Sequence, residues 1–388
     1  VTAAAIAGLG LTDVGKVYGR SATDLAAEAV RLAVADAGLD LGDVDGLLVT
    51  PGTQGAPKLS LQKVLGLRDL TLLAEVSVLG ASPAAMIAYA AAAVASGEAS
   101  TVACVFADAP LKQTGSGRDA FGSPKSGNRK GPSGFAGYHA GIGMVTPNLF
   151  YALAAQRHFA AFGTTSEQLG AIAVAQRSWA ALNPSAQYRE PITIEQHQAS
   201  PIIAEPLHLF DICLVSNGAA AVIVTSSQRA RDLARPPVDV LGWSQAHPGR
   251  IMERDSIFGL ITGAAVAGPA ALRMAGVTTS DVDLLQLYDC YTFTVLVTLE
   301  DYGFCGKGEG GAFVADGALG PGGVLPCNTG GGQLSAYYLS GFTPIVEAVL
   351  QGRGMAGGRQ VERRDVIMVS GNGGVLEHHA TLILGGAQ

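Results

Sequence analysis

The sequence predicts an α/β protein made of two related halves, and three observations carry that prediction. Apolar strand-like runs alternate with alanine-rich helical stretches along most of the chain, the pattern of a mainly parallel sheet. One passage recurs: MAGVTTSDVDLLQL (Met274 to Leu287) answers DAGLDLGDVDGLLV (Asp36 to Val49), with Gly38, Asp43, Val44 and Asp45 matching Gly276, Asp281, Val282 and Asp283. Two copies so far apart indicate a duplicated unit and not a solenoid. Finally, 388 residues that are 48% hydrophobic and only 15% charged supply the core of two or three domain-sized units.

Thr2 to Leu9 is a continuous apolar run ended by Gly10, as for a strand buried on both faces. A helix follows, opened by Ser21 and Thr23, with Leu25, Ala29, Leu32 and Ala33 at helical spacing and Gly38 as its stop. Gly46 to Thr50 reads as the next strand. An apolar helix, Pro83 to Ser96, leads through Gly97 to the strand Thr101 to Ala107, and Thr343 to Leu350 leads likewise to Asp365 to Ser370. The apolar run around Ala84 to Ala95 is shorter than a bilayer span and predicts a buried helix. Between Asp108 and Phe150 no period persists, which in a compact protein points to a functional or disordered loop. A helix then spans Glu167 to Leu182, with Thr164 and Glu167 spaced as a capping box and Asn183-Pro184 as the stop. The expected halves are residues 1–230 and 231–388, with 109–210 as an excursion from the first.

Composition excludes several function classes. A net charge of −7 without a basic run argues against nucleic-acid or anionic-membrane partners, and SGNRK (Ser126 to Lys130) reads as a solvated loop. Five cysteines and no secretory leader pattern fit free thiols in a reducing, cytoplasmic setting. No G-x-S-x-G elbow, Walker A sequence, C-x-x-C or H-E-x-x-H occurs, and no metal is expected. Gly352, Gly354 and Gly357 spell G-x-G-x-x-G but follow a helix, which rejects a dinucleotide site.

Four segments hold candidate chemistry. Gly80 precedes the alanine-rich helix, where a helix N-terminus stabilises an anion, although a plain helix start reads the same way. In Cys327 to Tyr338 (CNTGGGQLSAYY), Gly330, Gly331 and Gly332 leave backbone N–H groups open to a ligand oxygen. Gly371, Asn372 and Gly373 end the last core strand, where open α/β sheets place sites. Tyr288 and Asp289 lie in LYDCYT, a cluster of proton donors and acceptors at a strand end. His139 is the one histidine within the long aromatic loop.

These motifs, in this order, resemble the thiolase superfamily over essentially the whole chain: SNGAAAVIVTS (Ser216 to Ser226), LYDCYT (Leu287 to Thr292), GFCGKGE (Gly303 to Glu309) and NTGGGQLSAYY (Asn328 to Tyr338). The likeness is greater to the sterol-carrier-protein-X type, especially the steroid side-chain-cleaving aldolases of actinobacteria, whose two motif tyrosines match Tyr288 and Tyr338. The resemblance implies two βαβαβαββ halves forming a five-layer αβαβα sandwich with an inserted loop region. It also implies a homodimer and a small OB-fold partner, sometimes with a zinc ribbon.

The chain departs from true thiolases at each reactive position. The nucleophilic cysteine register falls on Gly80 or its neighbours, Tyr338 stands in the histidine register, and Gly371-Asn372 replaces the second cysteine. Cys290 and Cys305 are expected to be buried thiols. The expected reaction is therefore retro-aldol cleavage of a β-hydroxyacyl-CoA, with no cofactor beyond the CoA thioester substrate. Tyr338 would take the hydroxyl proton and Tyr288 would protonate the enolate, or the reverse, and the base would need neighbouring donors to favour its phenolate. A Claisen-type thiolase with another cysteine and a silent scaffold subunit are the rival readings.

Overall fold

The computed structural model describes residues 4–114, 134–144, 146–249 and 257–387, and the SGNRK segment lies outside them. The first copy runs β1 (Ala4–Leu11), α1 (Ala22–Ala37), β2 (Gly46–Pro51), α2 (Leu61–Leu65), β3 (Leu72–Glu75), α3 (Ser82–Ser96) and β4 (Thr101–Asp108). Next come α4 (Gly134–Gly141), α5 (Pro147–Phe162), α6 (Ser166–Ala181), α7 (Ile194–Ala199) and the small hairpin β5 (Ile202–Ala204) and β6 (Leu207–His208). The chain then returns through β7 (Gly218–Ser226) and α8 (Ser227–Arg231). The second copy runs β8 (Val238–Ala246), α9 (Ala264–Ala275), β9 (Leu284–Gln286), α10 (Thr292–Tyr302), α11 (Gly310–Ala315), α12 (Phe342–Gly352), β10 (Val366–Gly373) and β11 (His378–Gly385). Its third strand is reduced to one parallel bridge, Leu285 with Cys327.

The repeated passage folds twice into one device. Gly38 and Gly276 end α1 and α9 at φ 72° and 73°, a left-handed conformation that glycine adopts without steric cost. A single 3₁₀ turn follows each, Leu41–Asp43 and Thr279–Asp281. Asp45 then accepts N–H bonds from Ser100 and Thr101, and Asp283 accepts them from Asp365 and Val366. Each carboxylate thereby fastens the start of one strand to its parallel neighbour, β2 to β4 and β9 to β10.

The strand order is β3-β2-β4-β7-β1-β8-β11-β10-β9. The expectation of a mainly parallel sheet is corrected here. Among the described strands β3-β2, β2-β4 and β10-β9 pair in parallel, whereas β4-β7, β7-β1, β1-β8, β8-β11 and β11-β10 are antiparallel. Strands β7 and β11 are apolar runs buried on both faces, and such runs read alike in either direction. Two further boundaries move slightly. β1 continues past Gly10, and the capping box of α6 joins Thr165 to Gln168.

Three apolar cores separate five layers. Leu25 and Val30 of α1 pack on Leu47, Val105 and Ile223 of one strand set. Met86 of α3 and Ile345 of α12 share a central core with Leu48 and Val222 from that set and with Val369 and Leu382 from the other. Phe293 of α10 and Leu272 of α9 cover Leu285, Met368 and Ile383 on the far face. The result is the αβαβα sandwich. The stretch Leu79–Ser96 is long and apolar enough to cross a membrane by composition, but 67% of it is buried inside the protein. It is the core helix that the alanine run predicts.

Candidate active site

The site forms where the two central helices begin. In the first copy, β3 passes through Val76 to Ala81 into α3. In the second, Cys327 passes through Asn328 to Gly341 into α12. These equivalent connections touch: a Cβ added at Gly341 would lie 2.4 Å from the Gly80 carbonyl oxygen. The end of β10 lies against the first of them, since a Cβ at Gly371 would meet Ala81 Cα at 2.9 Å and one at Gly373 would meet Val78 O at 2.3 Å.

Tyr288 and Tyr338 are brought together, with hydroxyl oxygens 3.3 Å apart. A serine fixes the backbone of each: Tyr288 N–H donates to Ser370 Oγ and Tyr338 N–H to Ser216 Oγ, both at 2.9 Å. Tyr288 is buried, while Tyr338 keeps part of its surface open and so faces the approach to the pair.

Gly80 explains why the thiolase register is closed. A Cβ there would sit 2.3 Å from Tyr288 Cζ and 2.1 Å from the Asn372 carbonyl oxygen, far inside van der Waals contact. The Tyr288 ring occupies the volume a cysteine side chain would need.

Burial raises the pKa of both phenols well above the ordinary tyrosine value, although the hydrogen bond from Tyr288 opposes this at Tyr338. The resting pair is therefore protonated, without the favoured phenolate that a simple base would require. The thiols are no better activated. Burial pushes Cys290 and Cys305 up to about 12, and Cys213 well above its usual range. Cys290 is buried as expected, whereas Cys305 is partly exposed.

Asp289 lies beneath the site. It is fully buried, and its Oδ2 accepts the N–H groups of Gln333 at 2.8 Å and Leu334 at 3.3 Å, holding the turn that leads to Tyr338. Burial lifts its carboxyl from an ordinary 3.8 to about 7. Gly330, Gly331 and Gly332 pack equally tightly. Cβ atoms there would meet Glu347 Oε2 at 2.8 Å, Ala180 Cβ at 2.5 Å and Asp289 Oδ2 at 2.1 Å. These glycines let the turn lie on α6 and α12, and Gly331 and Gly332 also need positive φ, 96° and 60°.

Asn372 is buried at the end of β10 with its Nδ2 donor unpartnered. His139 shows ring-edge contacts with Tyr138 and Phe150, and no described contact joins it to the phenol pair. Two groups not anticipated from sequence also converge here. Tyr151 of α5 places its hydroxyl 3.4 Å from Asn372 Oδ1 and stacks on Tyr291 with centroids 4.3 Å apart. Cys213 donates its N–H to the Cys290 carbonyl at 3.0 Å. Tyr151 comes from the excursion and Cys213 lies just beyond it, and neither belongs to a motif with recognisable spacing.

Residues 244–386 match the family described as thiolase C-terminal domain-like. The chain is 38% identical over 380 residues to the steroid side-chain-cleaving aldolase of Thermomonospora curvata, covering 96% of this chain and 95% of that protein. It is 39% identical over 376 residues to the 17-hydroxy-3-oxo-4-pregnene-20-carboxyl-CoA lyase of Mycobacterium tuberculosis, covering 95% and 96%. The solved Ltp2-ChsH2(DUF35) aldolase superposes with a TM-score of 0.87 at 37% identity, covering 99% of this chain and 98% of that one. With the fold, the closed nucleophile register and near-full-length relatives in agreement, the chain belongs to the thiolase superfamily, among its aldolases acting on acyl-CoA.

Proposed function

We propose that this enzyme cleaves a β-hydroxyacyl-CoA by a retro-aldol reaction run through Tyr338 and Tyr288. The observation that carries the reading is the 3.3 Å contact between two protonated phenols, one buried and one half-buried, beside a position where no nucleophile fits. In the reaction the Cα–Cβ bond breaks and its electron pair enters the thioester enolate. The hydroxyl carbon becomes a carbonyl as its O–H proton leaves. Tyr338, on the open side, accepts that proton while passing its own to Tyr288, which delivers one to the enolate carbon. Both phenols end as they began, so the relay needs no resting phenolate.

The enolate oxygen needs donors; Gly371 to Gly373 and Gly330 to Gly332 are both closely packed, and the end of β10 is favoured because Asn372 adds a side-chain donor there. Among the described side chains there, Asn372 Nδ2 is a buried donor with no partner. A steroid side-chain thioester is the substrate class that the two named relatives favour. The Claisen alternative is disfavoured because burial keeps Cys213 and Cys290 protonated.

The proposal includes a homodimer formed through the open edge of β3, where Leu73 is exposed, as is Leu79 in the connection that follows. It also includes a small OB-fold partner, in keeping with a solved relative named for two components. With five free cysteines, a cytoplasmic setting completes the reading. The test is turnover of 17-hydroxy-3-oxo-4-pregnene-20-carboxyl-CoA to a steroid ketone and a shorter acyl-CoA. Loss of a proton-transfer group costs about 10²- to 10⁴-fold, so Tyr338→Phe should lower kcat by that much in a chain that melts normally. Full activity in that variant would overturn the assignment.

A further inference from the structure

We infer that Tyr151 is a positioning residue that turns the Asn372 carboxamide so that its N–H₂ group faces the enolate oxygen; the inference rests on the retro-aldol reading above. Asn372 is 1% exposed and its Nδ2 has no partner, a costly arrangement for a buried donor unless a ligand completes it. An amide side chain can present either end, and what fixes the choice is the partner of its oxygen. Here the Tyr151 hydroxyl lies 3.4 Å from Oδ1, a long contact of the kind that tightens when substrate binds. Burial holds Tyr151 protonated and hence a donor.

The support of Tyr151 is itself rigid. Its ring is 4% exposed, stacks on Tyr291 at 4.3 Å, and Tyr291 donates to Asn148 Oδ1 one turn earlier on α5 at 2.6 Å. The hydroxyl thus reaches Asn372 from the inserted region. In this arrangement the insertion contributes to the oxyanion site as well as to the substrate approach.

The test is a double-mutant cycle on the full chain, read with 17-hydroxy-3-oxo-4-pregnene-20-carboxyl-CoA and with S-carboxymethyl-CoA, whose carboxylate imitates the enolate oxygen. Removing an oxyanion donor costs about 10²-fold in kcat, so Asn372→Ala should do so with KM nearly unchanged. Loss of one orienting hydrogen bond costs about tenfold, the effect expected of Tyr151→Phe. Both variants should weaken S-carboxymethyl-CoA binding, and in the Asn372→Ala background Tyr151→Phe should change nothing further. Unchanged kcat and analogue affinity in a folded Tyr151→Phe chain, or fully additive effects, would overturn the inference. Tyr151→Leu serves if the phenylalanine variant fails to fold. Tyr338→Phe separates the two levels. If it is inactive while Tyr151→Phe is normal, only the positioning role fails; if it is fully active, the two-phenol assignment on which the inference rests fails, and absence of any lyase turnover in the unaltered chain would overturn the retro-aldol reading itself.

Discussion

The two connections that enter the central helices are equivalent in the duplicated fold, yet they contribute opposite things. Val76 to Ala81, before α3, contributes space: Gly80 has no side chain and the Tyr288 ring lies across it. Asn328 to Gly341, before α12, contributes chemistry, with a π-helical segment at Gly332–Ala336 that ends just before Tyr337 and Tyr338. Behind them the scaffolds match: the same left-handed glycine cap, the same 3₁₀ turn, the same aspartate clamp. The duplication kept its structural device in both copies, placed both phenols in the second, and left the first to supply the space at Gly80.

The largest way to break this comparison is to put a side chain back into the empty connection. Gly80→Cys should lower lyase activity by about 10²-fold or more without creating acyl transfer, because displacing a reacting group even 1 Å is that costly. Product analysis together with a melting curve checks it. Acyl transfer by that variant would show that the Tyr288 ring does not own this space.

A smaller effect is expected from the shared clamp. Asp45→Ala and Asp283→Ala should each destabilise the chain by about 0.5–1.5 kcal/mol, since each removes hydrogen bonds to strand-start N–H groups that are exposed or half-buried. Denaturant titration reads the loss. Folded Asp45→Ala should keep its kcat, because no described contact joins that clamp to the phenol pair.

The smallest expected effect is a slope with pH. The folded-state pKa of Asp289, about 7, lies above its ordinary 3.8. Between these values only the folded chain holds the proton, so this group's contribution to stability falls as pH rises and levels off above the upper one. Asp289→Asn keeps an oxygen for the Gln333 and Leu334 N–H groups and should flatten that part of the stability profile.

Much of the scaffold was legible because it depends on local rules. Ser21 and Gly38 bound α1 as their chemistry requires, and the offset shared by Gly38 and Gly276 led directly to the duplicated clamp. Strand direction was not legible, since β7 and β11 are buried on both faces and carry no alternation. At the site, Tyr288 and Tyr338 were found through their motifs, but a motif does not say what faces the ligand. Gly330 to Gly332 read as an open cradle, but the sequence does not show that a side chain at any of them would meet Glu347, Ala180 or Asp289, nor that Asp289 accepts the Gln333 and Leu334 N–H groups. Tyr151 and Cys213 were invisible because only the fold brings them against LYDCYT.

The central claim is proton transfer by two phenols with no covalent acyl-enzyme. Intact-mass analysis of the protein during turnover in D₂O, with no free CoA added, tests it most directly. The account predicts an unchanged protein mass and a shorter acyl-CoA that carries one solvent deuterium at its α-carbon. An acyl adduct on a cysteine, or a strict need for free CoA, would contradict it.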